Sequence, residues 1–311
     1  MSPFKSMKKE IVETIIKKCL GYKKDENLLI VCDDKRRALS DGFYKVAQSL
    51  GVDCVLLNMA PRKMHGQEPP KLVAEAMKGA DLAVLLTTMS LSHTKARKDA
   101  CKKFGARIAS LPGVTKDMLE RAIMLDYSAL KENVASFSRM LTKGNKLKVL
   151  TKKGTNLEMS IKGRKGFDDD GLYTKRGDFG NLPAGEACIG PLEGTASGRL
   201  VIDGSAPLAG RLKRPLEIIV KDGYAKDIPV PALSGLVKKY GKNVLNIAEF
   251  GIGLNPKAKV TGAILEDEKV MNTAHVALGN NVSFGGRVSC PCHLDFVFFD
   301  PEIYVDGKKI R

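Results

Sequence analysis

Short apolar runs alternate with amphipathic stretches in the N-terminal part of the chain, and this alternation sets the expected fold class. Ile11, Ile15, Ile16 and Cys19 recur at helical spacing through a polar segment and predict an amphipathic helix that packs on a sheet. Leu28 to Cys32 is a short apolar run; a helix-like stretch from Arg37 to Leu50, Gly51 and a second run from Cys54 to Leu57 complete a βαβ unit. A second cycle places a helix near Pro70 to Lys78, a strand at Asp81 to Thr87, a helix from Thr94 to Phe104 and a strand at Arg107 to Ser110. Strands that alternate with helices pair in parallel and are covered on both faces. Residues 1–142 are therefore predicted to form a Rossmann-like α/β domain with a parallel sheet, closed by helices over Met118 to Met124 and Tyr127 to Leu141.

From Lys146 the pattern changes. Short apolar segments are separated by glycine-bearing turns such as KKGTN, KGRKG, EGTASG, IDGSAPLAG and KDGYAK, which predicts mainly β structure. A helix over Ala232 to Tyr240 interrupts it, and the last strand-turn-strand, Asp295 to Ile310, is expected to turn at Asp306-Gly307. The composition shift near residues 141–146 places the boundary, so residues 143–311 read as a β-rich α+β domain.

Composition adds limits. A chain of 311 residues is long enough to bury two cores, and its 43% apolar and 28% charged residues are the balance of a folded protein. A net charge of +16 obliges an anionic or nucleic-acid partner to be considered. The basic residues are spread along the whole chain, however, and with 6% aromatics and no Trp there is no stretch that interleaves rings with cations for base stacking. The charge is read as general surface, and nucleic acid is not expected as a partner. The seven cysteines form an odd set without framework spacing, as in a reducing compartment. The N-terminal segment carries charges every few residues and no signal-type apolar core, and the longest apolar stretches are far too short to span a bilayer, so a cytoplasmic location is expected.

The candidate chemistry lies in the second half. The first βα turn, Cys32-Asp33-Asp34-Lys35-Arg36-Arg37, has no glycine for close approach to phosphate and two acids that repel it, which argues against a nucleotide site. His65 and His93 each stand alone and read as solvated or capping histidines, although His93 follows a strand of the parallel sheet, where sites often lie. In contrast, His293-Leu294-Asp295 is an H-x-D on an expected strand, where alternate residues share a face and both side chains reach one ion. His275 lies 18 residues upstream on another strand-like segment. Glu249, inside the apolar run NIAEFGIG, and Glu186, in NLPAGEACIGP, are acids that need a partner, because an unpaired buried carboxylate costs several kcal/mol. A divalent ion such as zinc, cobalt, manganese or iron(II) supplies one, and two glutamates, an aspartate and two histidines suit it. Glu266-Asp267-Glu268-Lys269 reads as a solvated turn or as a source of a base and a cation beside the metal. Cys290-Pro291-Cys292-His293 lacks the second pair of ligands of a structural zinc site.

At these residues the chain resembles the aminopeptidase T and aminopeptidase S family of metallo-aminopeptidases. NLPAGEACIGP is similar to the family segment whose glutamate binds metal, and NIAEFGIGLNP to the segment with the second metal glutamate. ILEDEKVMNTAHVALG is similar to the family's D-E-K followed by a ligand histidine, CHLDF to its terminal H-x-D, and SLSHTKARKDA to its S-H-T-x-A-R segment. The resemblance implies a homodimer with two metal ions per chain on Glu186, Glu249, His275, His293 and Asp295, removing N-terminal residues from peptides. Paired ions would activate a bridging water, with Glu268 or Glu266 as the proton acceptor and Lys269 steadying the developing charge.

The family's tyrosine ligand, about seven residues after the first histidine, has no counterpart in Asn280-Asn281-Val282-Ser283-Phe284. That departure leaves an alternative open. The same superfamily resembles the iron(II) dioxygenases that open dihydroxypyridine rings, and His275, His293 and Asp295 would form their triad of two histidines and one carboxylate. The retained Glu186 and Glu249, which a triad does not need, favour the peptidase reading.

Overall fold

In the computed structural model, which describes residues 7–207, 209–226, 228 and 230–311, five parallel strands form the first sheet. Their order is Asp53–Met59, Asn27–Asp33, Leu82–Leu86, Arg107–Ser110 and Phe179–Asn181. The central strands NLLIVCD and LAVLL are buried almost throughout, which is why they read as continuous apolar runs rather than alternating ones. Leu29, Val31, Met77, Leu85 and Ile108 meet in one core. Two of the helices, Lys9–Glu13 and Lys95–Asp99, continue as wider π-type turns over Thr14–Cys19 and Ala100–Phe104. No helix among the described residues is long and apolar enough to cross a membrane.

The chain divides into two compact units, Met1–Tyr127 with Gly171–Ala184, and Ser128–Asp170 with Gly185–Arg311. The division differs from the single cut drawn at the composition shift. Helix Tyr127–Lys143 lies almost wholly in the second unit, and a later segment returns to the first, where Phe179–Asn181 pairs in parallel with Arg107–Ser110. Three residues of edge pairing satisfy the open side of that strand, and so short a pairing leaves no periodic mark in the sequence.

The second unit holds two antiparallel sheets of seven strands. One runs Tyr224–Lys226, Leu216–Lys221, Ser197–Ile202, Asn156–Ser160, Lys146–Leu150, Glu302–Val305 and Lys308–Lys309. The other runs Gly210–Arg211, Ser205–Ala206, His293–Phe299, Thr273–Gly279, Ile247–Gly253, Glu186–Ile189 and Gly166–Asp169. The expected final strand-turn-strand proves to be two turns. Strand His293–Phe299 ends at Asp300, whose φ is 50°, and at Pro301, which has no N–H for the ladder; the chain then re-enters as Glu302–Val305 in the other sheet.

Register decides which side chains share a face of the second of these sheets. Gly253 pairs with Glu186, Gly251 with Cys188 and His275, Glu249 with Ala277, Ala277 with Asp295, and Gly279 with His293. Paired residues and residues two apart point the same way, so one face carries Glu186, Glu249, His275, His293 and Asp295 interleaved with Gly251, Gly253, Ala277 and Gly279. The opposite face carries Ala187, Phe250, Ile252, Val276, Phe296 and Phe298, all buried. A bulge between Ile247 and Glu249 lets these two residues, two apart, face opposite ways, so the apolar one stays in the core.

Candidate metal centre

Glu249, 3% exposed, stands between two imidazoles: its Oε2 is 2.9 Å from His293 Nε2 and its Oε1 is 3.5 Å from His275 Nε2. Asp295 Oδ1 lies 3.3 Å from the same His293 nitrogen, and Glu186 Oε2 lies 3.5 Å from that of His275. His293 Nδ1 is 2.9 Å from the Asn280 carbonyl. A proton on Nδ1 donated to that carbonyl points Nε2 at Glu249 and Asp295, where it donates to the carboxylates when protonated and offers its lone pair to an ion once that proton is lost. The Phe284 ring stacks on His293 at 5.3 Å between centroids, and Phe167 meets Phe284 edge-on. The His275 ring lies against Gly251, where a Cβ would run into its Cε1 and both nitrogens.

Beside this group a second cluster surrounds Lys269, which is only 1% exposed. Its ammonium pairs with Glu186 Oε1, with Glu268 at 2.9 Å and with Asp169 at 3.1 Å. Glu266 is not part of it; it faces the neighbouring turn, with Oε1 accepting the Lys259 N–H at 2.9 Å. His65 and His93 belong to the first unit, where His65 Nδ1 accepts the Ser90 N–H and His93 is exposed.

Protonation follows from these contacts. Burial alone would raise the Glu249 carboxyl, but hydrogen bonds from both histidines hold it well below the usual carboxylate range. Burial would likewise lower His275, yet Glu249, Glu186 and Asp295 take it up to about 9, and His293 is also held well above its ordinary value by Asp295 and Glu249. Asp295 is lowered because the charge and hydrogen bond of His293 outweigh its burial. Burial pushes Glu268 up to about 8, since the charges of Asp295 and Glu186 add to desolvation and Lys269 offsets only part of it. Burial also sends the Cys188 thiol well up, with Glu249 and Glu186 adding to the effect, so it is a poor thiolate ligand.

The residues fit a divalent ion. Glu186 Oε2, which lies beside the His275 Nε2 atom, is buried without a hydrogen-bond partner, a costly state for a carboxylate oxygen unless a further group completes the site. Atoms of Glu249, His293 and Asp295 lie within 4.8 Å of one another, as do atoms of Glu186, Cys188 and Glu249. Nitrogen and carboxylate donors suit borderline divalent ions, and the Asn280 carbonyl supplies the outer contact that orients His293.

Two expected results follow. Gly251→Ala should leave the strand conformation intact but drive the His275 ring off its position; we expect metal affinity to fall about 10–100-fold, as for loss of an orienting contact, while the thermal transition moves little. Titration with Mn(II) next to wild type checks this, and unchanged affinity would show that the His275 ring is not held by this contact. Metal affinity should also climb with pH. In the metal-free protein His275 keeps its proton up to about 9, and an ion must displace that proton. The same raised value stabilises the metal-free fold fully below the unfolded-state value of about 6.5, and this contribution is lost as pH rises through about 9. A metal affinity flat across that window would exclude His275 as a ligand.

Gly251, Asn280, Phe284 and Asp169 were not singled out by their types. Gly251 had a signal, since a glycine inside a strand marks close approach. Asn280 acts through its backbone carbonyl, which any residue has.

Comparison with known proteins gives the family context. A family model described as NicX, 2,5-dihydroxypyridine 5,6-dioxygenase, matches residues 10–311. The curated 2,5-dihydroxypyridine 5,6-dioxygenase of Pseudomonas putida KT2440 is 26% identical over 252 residues, covering 76% of this chain and 70% of the relative. The solved 2,5-dihydroxypyridine dioxygenase from Pseudomonas putida KT2440 superposes with a TM-score of 0.80 at 20% identity, over 97% of this chain and 94% of its own. AmpT from Thermus thermophilus gives 0.69 at 13% identity, over 97% and 98%. At those identities the two structures show a shared fold. The family model and the curated relative overturn the aminopeptidase resemblance, and with it the hydrolase activity and peptides as the substrates. The physical reason lies in the two glutamates that favoured it. Glu186 has Lys269 on one oxygen and Glu249 has an imidazole on each side, so the charge of each acid is balanced without a second ion. The position seven residues after His275 is Val282, which is exposed and has no oxygen to offer.

Proposed function

Because the chain belongs to the 2,5-dihydroxypyridine 5,6-dioxygenase family, we propose that it opens the ring of a dihydroxypyridine with dioxygen, using one iron(II) ion held by His275, His293 and Asp295. The observation that supports this reading most is the arrangement of both Nε2 atoms and the Asp295 carboxylate on one sheet face around Glu249. Iron(II) in a site of two histidines and one carboxylate would supply the electron chemistry that dioxygen needs to react with an aromatic ring, with open positions for both reactants.

The chain's own residues do the rest. The Asn280 carbonyl orients His293, and Gly251, without a Cβ, leaves the room that the His275 ring occupies. Gly253, Ala277 and Gly279 place small side chains or none between the ligands. Glu268 holds a proton at its carboxyl until about pH 8 and is the group on hand to pass one near neutrality. Lys269 stays charged, because Glu186, Glu268 and Asp169 outweigh the burial that would lower it, and it steadies negative charge on this side of the centre.

The test is anaerobic loading with iron(II), followed by addition of 2,5-dihydroxypyridine and measurement of oxygen uptake with loss of the aromatic absorbance. We expect uptake that depends on iron and on the substrate, with one dioxygen consumed per ring opened. Full iron loading with an intact ring would sink the reading.

A further inference from the structure

The segment between the two histidine strands carries two thiols for which the proposed reaction has no use. Cys290 and Cys292 flank Pro291 as free, half-buried cysteines, whereas Cys19, Cys32, Cys101 and Cys188 are buried as packing residues. The two Sγ atoms are 3.7 Å apart. Their segment is tied to the metal centre by the chain, since Cys292 directly precedes His293, and by the hydrogen bonds of Asn280. The Asn280 N–H donates to the Cys292 carbonyl at 2.9 Å, the Asn280 Nδ2 donates to the Cys290 carbonyl at 3.0 Å, and the Asn280 carbonyl receives His293 Nδ1 at 2.9 Å. Gly279, the strand partner of His293, lies directly under both: a Cβ there would meet the Cys292 carbonyl and the Cys290 sulfur.

We propose that Cys290 and Cys292 form an oxidisable dithiol, a modification site for hydroperoxides, whose disulfide form displaces His293 and weakens metal binding. The step balances. The two thiols lose two electrons and two protons as the S–S bond forms, the O–O bond of hydrogen peroxide breaks, and two waters leave; an organic hydroperoxide gives one alcohol and one water. Closing the sulfurs from 3.7 Å to about 2.05 Å moves one or both of the carbonyls that hold Asn280. Asn280 carries the movement to His293, whose Nε2 sits 2.9 Å from Glu249 and 3.3 Å from Asp295. Disturbing an orienting contact of this kind costs about 10–100-fold in metal affinity. The second half of the proposal rests on the reading of His293 as a metal ligand.

The experiment treats the full metal-free chain with equimolar hydrogen peroxide. Intact mass and peptide mapping read the linkage, and Mn(II) titration reads affinity before oxidation, after it, and after dithiothreitol. We expect a Cys290–Cys292 linkage with the loss of two hydrogens, affinity about 10–100-fold lower, and full recovery on reduction. Cys290→Ser should bind Mn(II) as reduced wild type does and ignore peroxide. Absence of the linkage, a sulfinic acid in its place, or a linkage that leaves affinity unchanged overturns the proposal. Reduced wild type that takes up neither Mn(II) nor iron(II) overturns the metal reading itself and with it the affinity effect, whereas normal uptake without the linkage overturns the dithiol alone.

Discussion

His293→Ala should lose iron(II) binding by more than the roughly 10–100-fold that an outer contact is worth, and ring opening with it. The imidazole is within 3.3 Å of two carboxylates, one of them 3% exposed, so its removal takes away a proposed metal donor and also leaves Glu249 and Asp295 facing each other across an empty place. A folded, metal-free variant is therefore expected to be less stable at neutral pH and to regain stability as acid protonates the carboxylates. Metal titration, oxygen uptake and a melting curve separate the two effects. Glu186→Ala gives the contrast, because one of its oxygens is already taken by Lys269; with one ion at His275, His293 and Asp295 it should still bind one ion per chain. A variant of His293 that kept both iron and activity would remove the central element of the proposed site.

Lys269→Met should cost about 3–5 kcal/mol of folding stability, the range for breaking a buried ion pair by removing one partner. The ammonium is 1% exposed and pairs with Asp169, Glu186 and Glu268, so a thioether of similar length takes the cation away from Asp169 and Glu186 and the hydrogen-bond donor away from Glu268, which holds its own proton until about pH 8. Urea unfolding at neutral pH measures the loss. Two further results belong to the same cause: acid should narrow the difference from wild type, and Glu186→Gln in the Lys269→Met background should restore part of it. A cost below about 1 kcal/mol, the range of surface pairs, would show that water reaches the cluster.

Much of the fold was legible because periodicity reports burial. The parallel strands Asn27–Asp33 and Leu82–Leu86 are covered on both faces and so leave unbroken apolar runs, and the helices between them leave amphipathic ones. Strand Phe179–Asn181 was not legible, since its partner is a strand about 70 residues away and its role is set by an edge that needs pairing. The turn at Asp306-Gly307 was legible, but the break at Asp300-Pro301 was read through, and that its two sides enter different sheets is set by pairing with distant strands.

The same division holds at the candidate metal centre. Residue types and local spacing were enough to mark Glu186, Glu249, His275, His293 and Asp295, because an acid in an apolar run or an H-x-D on a strand is unusual on energetic grounds alone. Such arguments cannot count partners. That Glu186 leans on Lys269, that Glu249 sits between two imidazoles, and that a bulge at Ala248 turns it to that face are matters of register between distant strands. By itself the sequence determined which side chains cannot be buried without a partner; the tertiary structure alone decided what those partners are, because a carboxylate in an apolar run is satisfied equally well by a metal, a lysine or an imidazole, and only the pairing of the strands says which lies within reach.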